Sequence, residues 1–435
     1  MLTADFHRAP TRLDRAATIG FFAYIAVAFV VCVFWLGRDD WFTDGDFSLL
    51  AGPVASNVNL PIEQHWSAVP VLLYQGLLRV FGLEYTPYLV TVVLLHLATT
   101  SLLWTLMRRV NVRGYVASLT AAVLVLFGPG FLSILMPIQI TQNLSLVFAL
   151  SQLLLADHSG RIGWRDGVAL LAGAAGLASS GLMPVLVAAT GLALLIRRGW
   201  RVAALQTAPL AALFLWWYWE YEPTAASVYP LGSSDIGEQF AFVRDGLMGT
   251  VSSVGGWTVI GALLVVVLAV GVAICFADEG WRVAGFRLAA PLSLALGSVV
   301  YLAVVGRQRA AIPAYAEFSH HIYTVVALFL PLLACAIDAL VARWRWLSPA
   351  IAALLLVGVF GNLRFDDGSR PYFMRAGWLA DTREQLLERA HSPTLEVDAA
   401  ARPSEPVFTN RPQVLDFVNL EWLAEQRATG RIPAG

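Results

Sequence analysis

Runs of about twenty mostly apolar residues, the length that crosses a bilayer as a helix, recur along this chain from Ala16 to Leu363 and leave it few options. Inside lipid every backbone donor and acceptor must be satisfied within the chain, so a sequence built of such runs folds as an all-α helical bundle. Composition agrees: 58% of the 435 residues are apolar and 14% are charged, against roughly a quarter charged in a soluble domain. The expected fold is an all-α integral membrane protein with about eleven transmembrane helices. The first candidate runs from Ala16 to Leu36 and lacks a small-residue cleavage site, so it reads as a retained anchor. The others cover 87–107, 116–135, 143–156, 168–178, 183–196, 202–219, 257–276, 286–305, 322–340 and 347–363.

Every one of the 29 basic residues is arginine, a bias of GC-rich bacterial genomes. Arginines stay on the cytoplasmic side of short loops. With residues 1–15 placed inside, fifteen arginines between Arg8 and Arg345 fall in cytoplasmic segments. Only five, Arg38, Arg79, Arg244, Arg307 and Arg309, fall in opposite loops. This sets the N-terminus in the cytoplasm and, with an odd helix count, the tail 364–435 outside. The net charge of -1 supplies no concentrated basic face for nucleic acid. Cys32, Cys275 and Cys335 lie in apolar runs and read as buried thiols.

The membrane domain, 16–363, has two external stretches too long to be turns. Loop 37–86 contains an amphipathic segment, 67–82, too short to span and expected to lie along the membrane surface. Stretch 220–256 is polar and aromatic, with Trp216, Trp217, Tyr218, Trp219 and Tyr221 as an interfacial belt at its start. The tail reads as a small cap or partner surface.

Residues able to do chemistry gather at the outer face. Asp39, Asp40, Asp44 and Asp46 follow the first helix at once. Crowded carboxylates raise one another's pKa and serve as a general base or as ligands of a divalent cation. The lesser alternative is a solvated, topology-favouring acidic loop. Within this set Asp44-Gly45-Asp46 is expected to form a flexible turn that lifts a carboxylate into a cleft. Glu63, His65 and Trp66 suit a sugar or phosphate, or simply a helix entry capped by Ser67. Gln139 and Gln142 sit where one helix turns into the next. Arg307 and Arg309, with His320 and His321, share one outer loop, where arginine suits bidentate phosphate contact or headgroup snorkelling. Within the membrane, His96 reads as part of a proton path or as a residue bonded inside the bundle, and Asp338 as the partner of Arg343.

Several ordered pieces carry a family resemblance. The acidic loop precedes Gln64-His65-Trp66-Ser67 and Val69-Pro70-Val71-Leu72-Leu73-Tyr74; Leu103-Trp104-Thr105-Leu106-Met107-Arg108-Arg109 follows. Downstream stand Ser179-Ser180-Gly181-Leu182-Met183 and Arg197-Arg198-Gly199-Trp200-Arg201. Over roughly 16–363 the chain resembles a group of actinobacterial multi-pass membrane proteins related to the GT-C glycosyltransferase superfamily. That resemblance implies a bundle with surface helices in its first external loop and a polyprenyl-phosphate sugar as donor. It also implies a catalytic carboxylate just after the first helix, where Asp39, Asp40, Asp44 and Asp46 stand. Members often open the tenth helix with Arg-Tyr; here His320-His321 precede Ile322-Tyr323, which leaves Arg307 and Arg309 to hold phosphate. The expected function is transfer of a sugar from a polyprenyl-phosphate carrier, in membrane lipid, to an extracytoplasmic cell-envelope acceptor, with a divalent cation as a conceivable helper. A transporter or flippase and a non-catalytic assembly scaffold are the rival readings.

Overall fold

The computed structural model describes residues 11–62, 65–221, 235–310, 315–363, 376–408 and 418–433. Among these the chain is almost wholly helical. The first helix, α1 (Arg12–Val31), ends in a π turn, Cys32–Leu36. The first external loop holds a short helix α2 (Asp44–Leu50), a two-residue hairpin of β1 (Pro61–Ile62) and β2 (His65–Trp66), and α3 (Ala68–Phe81). Then come α4 (Tyr85–Arg109), α5 (Gly114–Val125), α6 (Phe131–Leu135), α7 (Ile140–Ala156), α8 (Trp164–Leu177), α9 (Met183–Arg198) and α10 (Trp200–Tyr221). After them lie α11 (Ile236–Val254), α12 (Thr258–Arg309), α13 (Ser319–Arg343) and α14 (Ser348–Gly361). The tail carries α15 (Ala376–Ala390), α16 (Leu395–Ala401) and α17 (Leu420–Ala428).

Each apolar run of the sequence coincides with a helix. By length and composition, five described helices can cross a membrane, or six if α5 and Gly128–Leu135, bent by 53°, form one broken span. α12 is two helices in one. Gly280 has φ of +76°, a backbone state that glycine adopts without penalty. Arg287 reaches back to Cys275 Sγ at 3.1 Å and to Glu279 at 2.6 Å. In a straight helix residues 275 and 287 would stand ~18 Å apart, so the chain reverses at Gly280. The two runs 257–276 and 286–305 are the arms of this helical hairpin.

α13 is the axis of the bundle. Residues from Ile322 to Val341 along it are nearly all buried, packed against α4, α5 and α12. Small residues let backbones approach: a Cβ at Gly271 would lie 2.3 Å from the Ala336 carbonyl, the close contact through which helices associate in lipid. His96 is bonded within the bundle, Nδ1 to the Tyr323 hydroxyl at 2.8 Å and Nε2 to the Val125 carbonyl at 3.1 Å. That second bond satisfies an end carbonyl of α5 where the span breaks. All three cysteines are free and buried.

One end of the bundle is tied by arginines to buried carboxylates. Arg113 pairs with Asp338 at 3.0 Å, Arg197 with Asp157 at 2.7 Å, and Arg198 with Asp166. A buried carboxylate needs a charge partner or hydrogen-bond donors to offset its lost hydration, and these three have arginines. Asp338 is therefore matched to Arg113, 225 residues away, and not to Arg343, which lies 3.8 Å from Asp278. α11 was not foreseen: stretch 220–256 holds this helix, opened by a capping box of Asp235 and Glu238. Nor is Trp217 part of an interfacial belt. It is fully buried, stacked on Trp66 at 5.8 Å, and donates to the Asn59 carbonyl at 2.8 Å.

At the other end the tail packs onto the first loop. Leu83 N donates to the Arg431 carbonyl at 2.8 Å, and Phe47 of α2 meets Phe408 and Trp422 at 6.0 and 6.4 Å. Leu379, Leu386, Leu395, Val418, Leu420 and Leu423 are buried in a core continuous with that loop.

Candidate functional site

The four loop carboxylates do not act as a cluster. Asp39 is exposed and paired with Arg38 at 3.0 Å. Asp40 is buried, in a cavity of about 560 Å³ that Arg38, Glu84, Arg383 and Pro433 also line. Asp46 is fully buried in a helix cap. Its Oδ2 accepts from Thr43 N at 2.6 Å and Thr43 Oγ1 at 2.7 Å, and its Oδ1 accepts from the Tyr74 hydroxyl at 2.6 Å. This corrects the expected turn: Asp44-Gly45-Asp46 is not flexible but forms the first turn of α2, closed by a Thr43/Asp46 capping box. Burial pushes the Asp46 carboxyl up to about 6, against the pull of the Tyr74 and Thr43 donors. Burial and the adjoining Asp46 charge push the Tyr74 hydroxyl well up, so it remains a donor. A carboxylate so enclosed has its oxygens occupied by the fold.

Asp44 differs. It is the first residue of α2, half-buried, with the helix N-terminus behind it. A seven-residue helix is too short to persist alone, and three neighbours hold it. Tyr74 grips its cap; Gln75 Nε2 donates to the carbonyls of Leu49 and Leu50, both at 3.0 Å; and Gly45 lies against Ile138, where a Cβ would meet Cγ1 at 2.9 Å.

The segment that touches α2 also touches a basic and aromatic group. Beyond Ile138 and the half-buried Gln139, Gln142 donates through Nε2 to the His320 carbonyl at 3.0 Å and to the Thr324 hydroxyl. Gln142 thus fastens α7 to the start of α13, a structural duty more than a ligand contact. There His320 and His321 lie with ring centroids 4.0 Å apart. Tyr315 packs 5.1 Å from His321, and the Arg309 guanidinium lies 5.6 Å from the Tyr315 ring. His65 belongs to the same group, close enough to His320 for their charges to interact. Its ring rests on Gly181, where a Cβ would fall 2.3 Å from Nδ1. The Ser179-Ser180-Gly181 piece therefore supplies the floor under His65.

This group has unspent hydrogen-bonding capacity. His321 Nδ1 is engaged by the Tyr301 hydroxyl at 2.7 Å. Among the described residues His321 Nε2, His320 Nδ1 and Trp66 Nε1 are buried without a partner. Unmade buried hydrogen bonds cost about 1–3 kcal/mol each, so such atoms point to a ligand. When Tyr301 donates to Nδ1, the His321 proton sits on the buried Nε2, which can then donate to a ligand. A buried arginine with imidazole donors is a site for an oxyanion.

The sequence placed Arg307 and Arg309 together, but the fold separates them: Arg309 is 6% exposed and faces Tyr315, whereas Arg307 points to the outside. Glu63 lies outside the described residues. His65 and Trp66 open no helix; they form β2, and Ser67 makes no side-chain cap to α3. Tyr301, Tyr315 and Gly181 were not singled out as site residues, because only the fold brings them to His65 and His321. As for a divalent cation, the loop carboxylates are dispersed, and among the described residues no three His, Cys, Asp or Glu side chains converge to hold a metal ion.

No family model matches the chain, and no curated protein matches it. Among solved structures it is similar to the crystal structure of ArnT from Cupriavidus metallidurans bound to undecaprenyl phosphate, at 16% identity. The match covers 96% of this chain and 77% of that chain, with a TM-score of 0.46, too loose to bear on the site.

Proposed function

We propose that the chain is a membrane glycosyltransferase of the GT-C kind, which moves a sugar from a polyprenyl-phosphate carrier to an extracytoplasmic cell-envelope acceptor. The observation that supports this most is the oxyanion site: buried Arg309 beside His320 and His321, whose ring nitrogens await partners, linked through 138–142 to the half-buried Asp44. In this reading the chain crosses the membrane eleven times, with the N-terminus in the cytoplasm and α2 and the tail outside. The arginine-tied end then faces the cytoplasm, in keeping with fifteen arginines against five.

The chemistry follows from those placements. Asp44 takes the proton of an acceptor hydroxyl as its oxygen attacks the anomeric carbon from the face opposite the phosphate. The bond from that carbon to the phosphate oxygen breaks, and its electron pair leaves with the lipid phosphate. Arg309 and the buried imidazole donors stabilise the charge that grows there. The anomeric configuration inverts.

The broken span α5–α6, with its 53° bend, is a feature shared with transporters. One assay separates the readings. The protein in vesicles is given undecaprenyl phosphate-linked glucose, mannose or galactose with a cell-envelope polysaccharide fraction as acceptor. A glycosyltransferase releases undecaprenyl phosphate from one of these and labels the polysaccharide. Movement of the lipid across the bilayer with its sugar bond intact would instead establish a flippase.

A further inference from the structure

The C-terminal unit contributes to more than the outer surface. We infer that it is a positioning brace for α2, pressing Phe408 and Trp422 onto Phe47 and so fixing where the Asp44 carboxylate stands; the catalytic half of this inference rests on the role proposed for Asp44. Phe47 lies one turn beyond Asp44 on the same short helix and is fully buried. Its ring is tilted 57° to Phe408 at 6.0 Å and 87° to Trp422 at 6.4 Å. Edge-on aromatic pairs of this kind give more than their buried area.

The two rings are themselves held in a self-bonded unit. Val407 N donates to the Val418 carbonyl at 2.8 Å and Leu420 N to the Glu405 carbonyl at 3.0 Å, which ties the segment that carries Phe408 to the start of α17, which carries Trp422. Arg427 ties α17 back to the Ser392 carbonyl at 2.7 Å. The end of the unit then reaches α3, the helix that supplies Tyr74 and Gln75 to α2. Gly82, at the C-cap of α3 with φ of +62°, leaves room for Arg431: a Cβ there would fall 2.3 Å from its carbonyl oxygen. The unit therefore bears on α2 directly through Phe47 and indirectly through α3. Asp44 sits on a two-turn helix with few internal hydrogen bonds, and displacement of a reacting group by about 1 Å can cost on the order of 100-fold in rate.

The test uses the full chain in lipid nanodiscs, with Phe408→Ala/Trp422→Ala compared with Phe408→Tyr/Trp422→Phe, which keeps the rings. Hydrogen exchange is followed in a peptide covering 43–51 and in a control peptide in the middle of α4. Turnover is followed with the undecaprenyl-phosphate sugar that the parental protein consumes. In the alanine variant the 43–51 peptide should exchange ~10-fold faster, with α4 unchanged. Its kcat should fall ~10- to 100-fold with KM for the lipid held, and the ring-keeping variant should restore both. Parental exchange over 43–51 in the alanine variant overturns the brace, and faster exchange with parental kcat overturns its bearing on catalysis. If the alanine variant does not purify, Gly82→Ala, which displaces Arg431, is judged by the same two readouts. Exchange needs no substrate, so a failure of the Asp44 assignment shows separately, as full turnover in Asp44→Asn with the brace intact.

Discussion

Asp44→Asn is expected to lower sugar transfer by ~10²- to 10⁴-fold, the range a positioned general base contributes, while the KM for the lipid-linked sugar stays near parental. The amide keeps the size of the carboxylate and the start of α2 but cannot accept the acceptor's proton. Two neighbours serve as controls with different expected faults. Asp39 is exposed and paired with Arg38, so Asp39→Asn should transfer within about twofold of parental, as surface pairs contribute little. Asp46 accepts three hydrogen bonds inside the protein. Asp46→Asn turns an amide N–H toward existing donors, so it should cost about 1–3 kcal/mol of stability and loosen α2 before any kinetic effect is read. Parental transfer by Asp44→Asn would remove Asp44 from the chemistry.

Arg309→Gln is the second large effect. Arg309 is 6% exposed and stands beside Tyr315 and the paired histidines. A hydrogen bond to a charged group contributes about 1.5–3 kcal/mol, which is ~10- to 100-fold in affinity for a phosphate. Binding of undecaprenyl phosphate to the purified protein should weaken by that factor. Arg307→Gln should leave it within about twofold, because Arg307 is exposed whereas Arg309 is buried beside Tyr315. Equal losses from both would mean that the arginines meet headgroups at the membrane surface and hold no specific lipid.

Local features were legible in the sequence and long-range ones were not. Every apolar run became a helix because lipid allows no other pairing for so many backbone groups, and the segment 67–82 became α3 on its helical spacing. The capping box of Thr43 and Asp46 was also written in the chain, as a threonine with an acid three residues on. Gly45 between them favoured the flexible reading, and the bond that fastens the closed cap to α3 comes from the Tyr74 hydroxyl, 28 residues away. Asp338 shows the same limit. Arg343 is its near neighbour along the chain, yet the bundle presents Arg113 to it. His65 and His320 were noted in separate loops, His65 with Glu63 and Trp66 and His320 with Arg307, Arg309 and His321, but no periodicity tells that a two-residue strand and the start of α13 come close enough for their charges to interact. The helix α11 was missed because its apolar residues are sparse and its capping pair, Asp235 and Glu238, lies in a polar stretch.

A cryo-EM map of the purified full chain with an undecaprenyl-phosphate sugar tests the central claim most directly. The account predicts phosphate density within hydrogen-bond reach of Arg309, His320 Nδ1 and His321 Nε2, with the sugar extending toward Asp44. Phosphate density at the opposite, arginine-tied end near Arg113 and Arg198, or none beside Arg309 at saturating lipid, would contradict it.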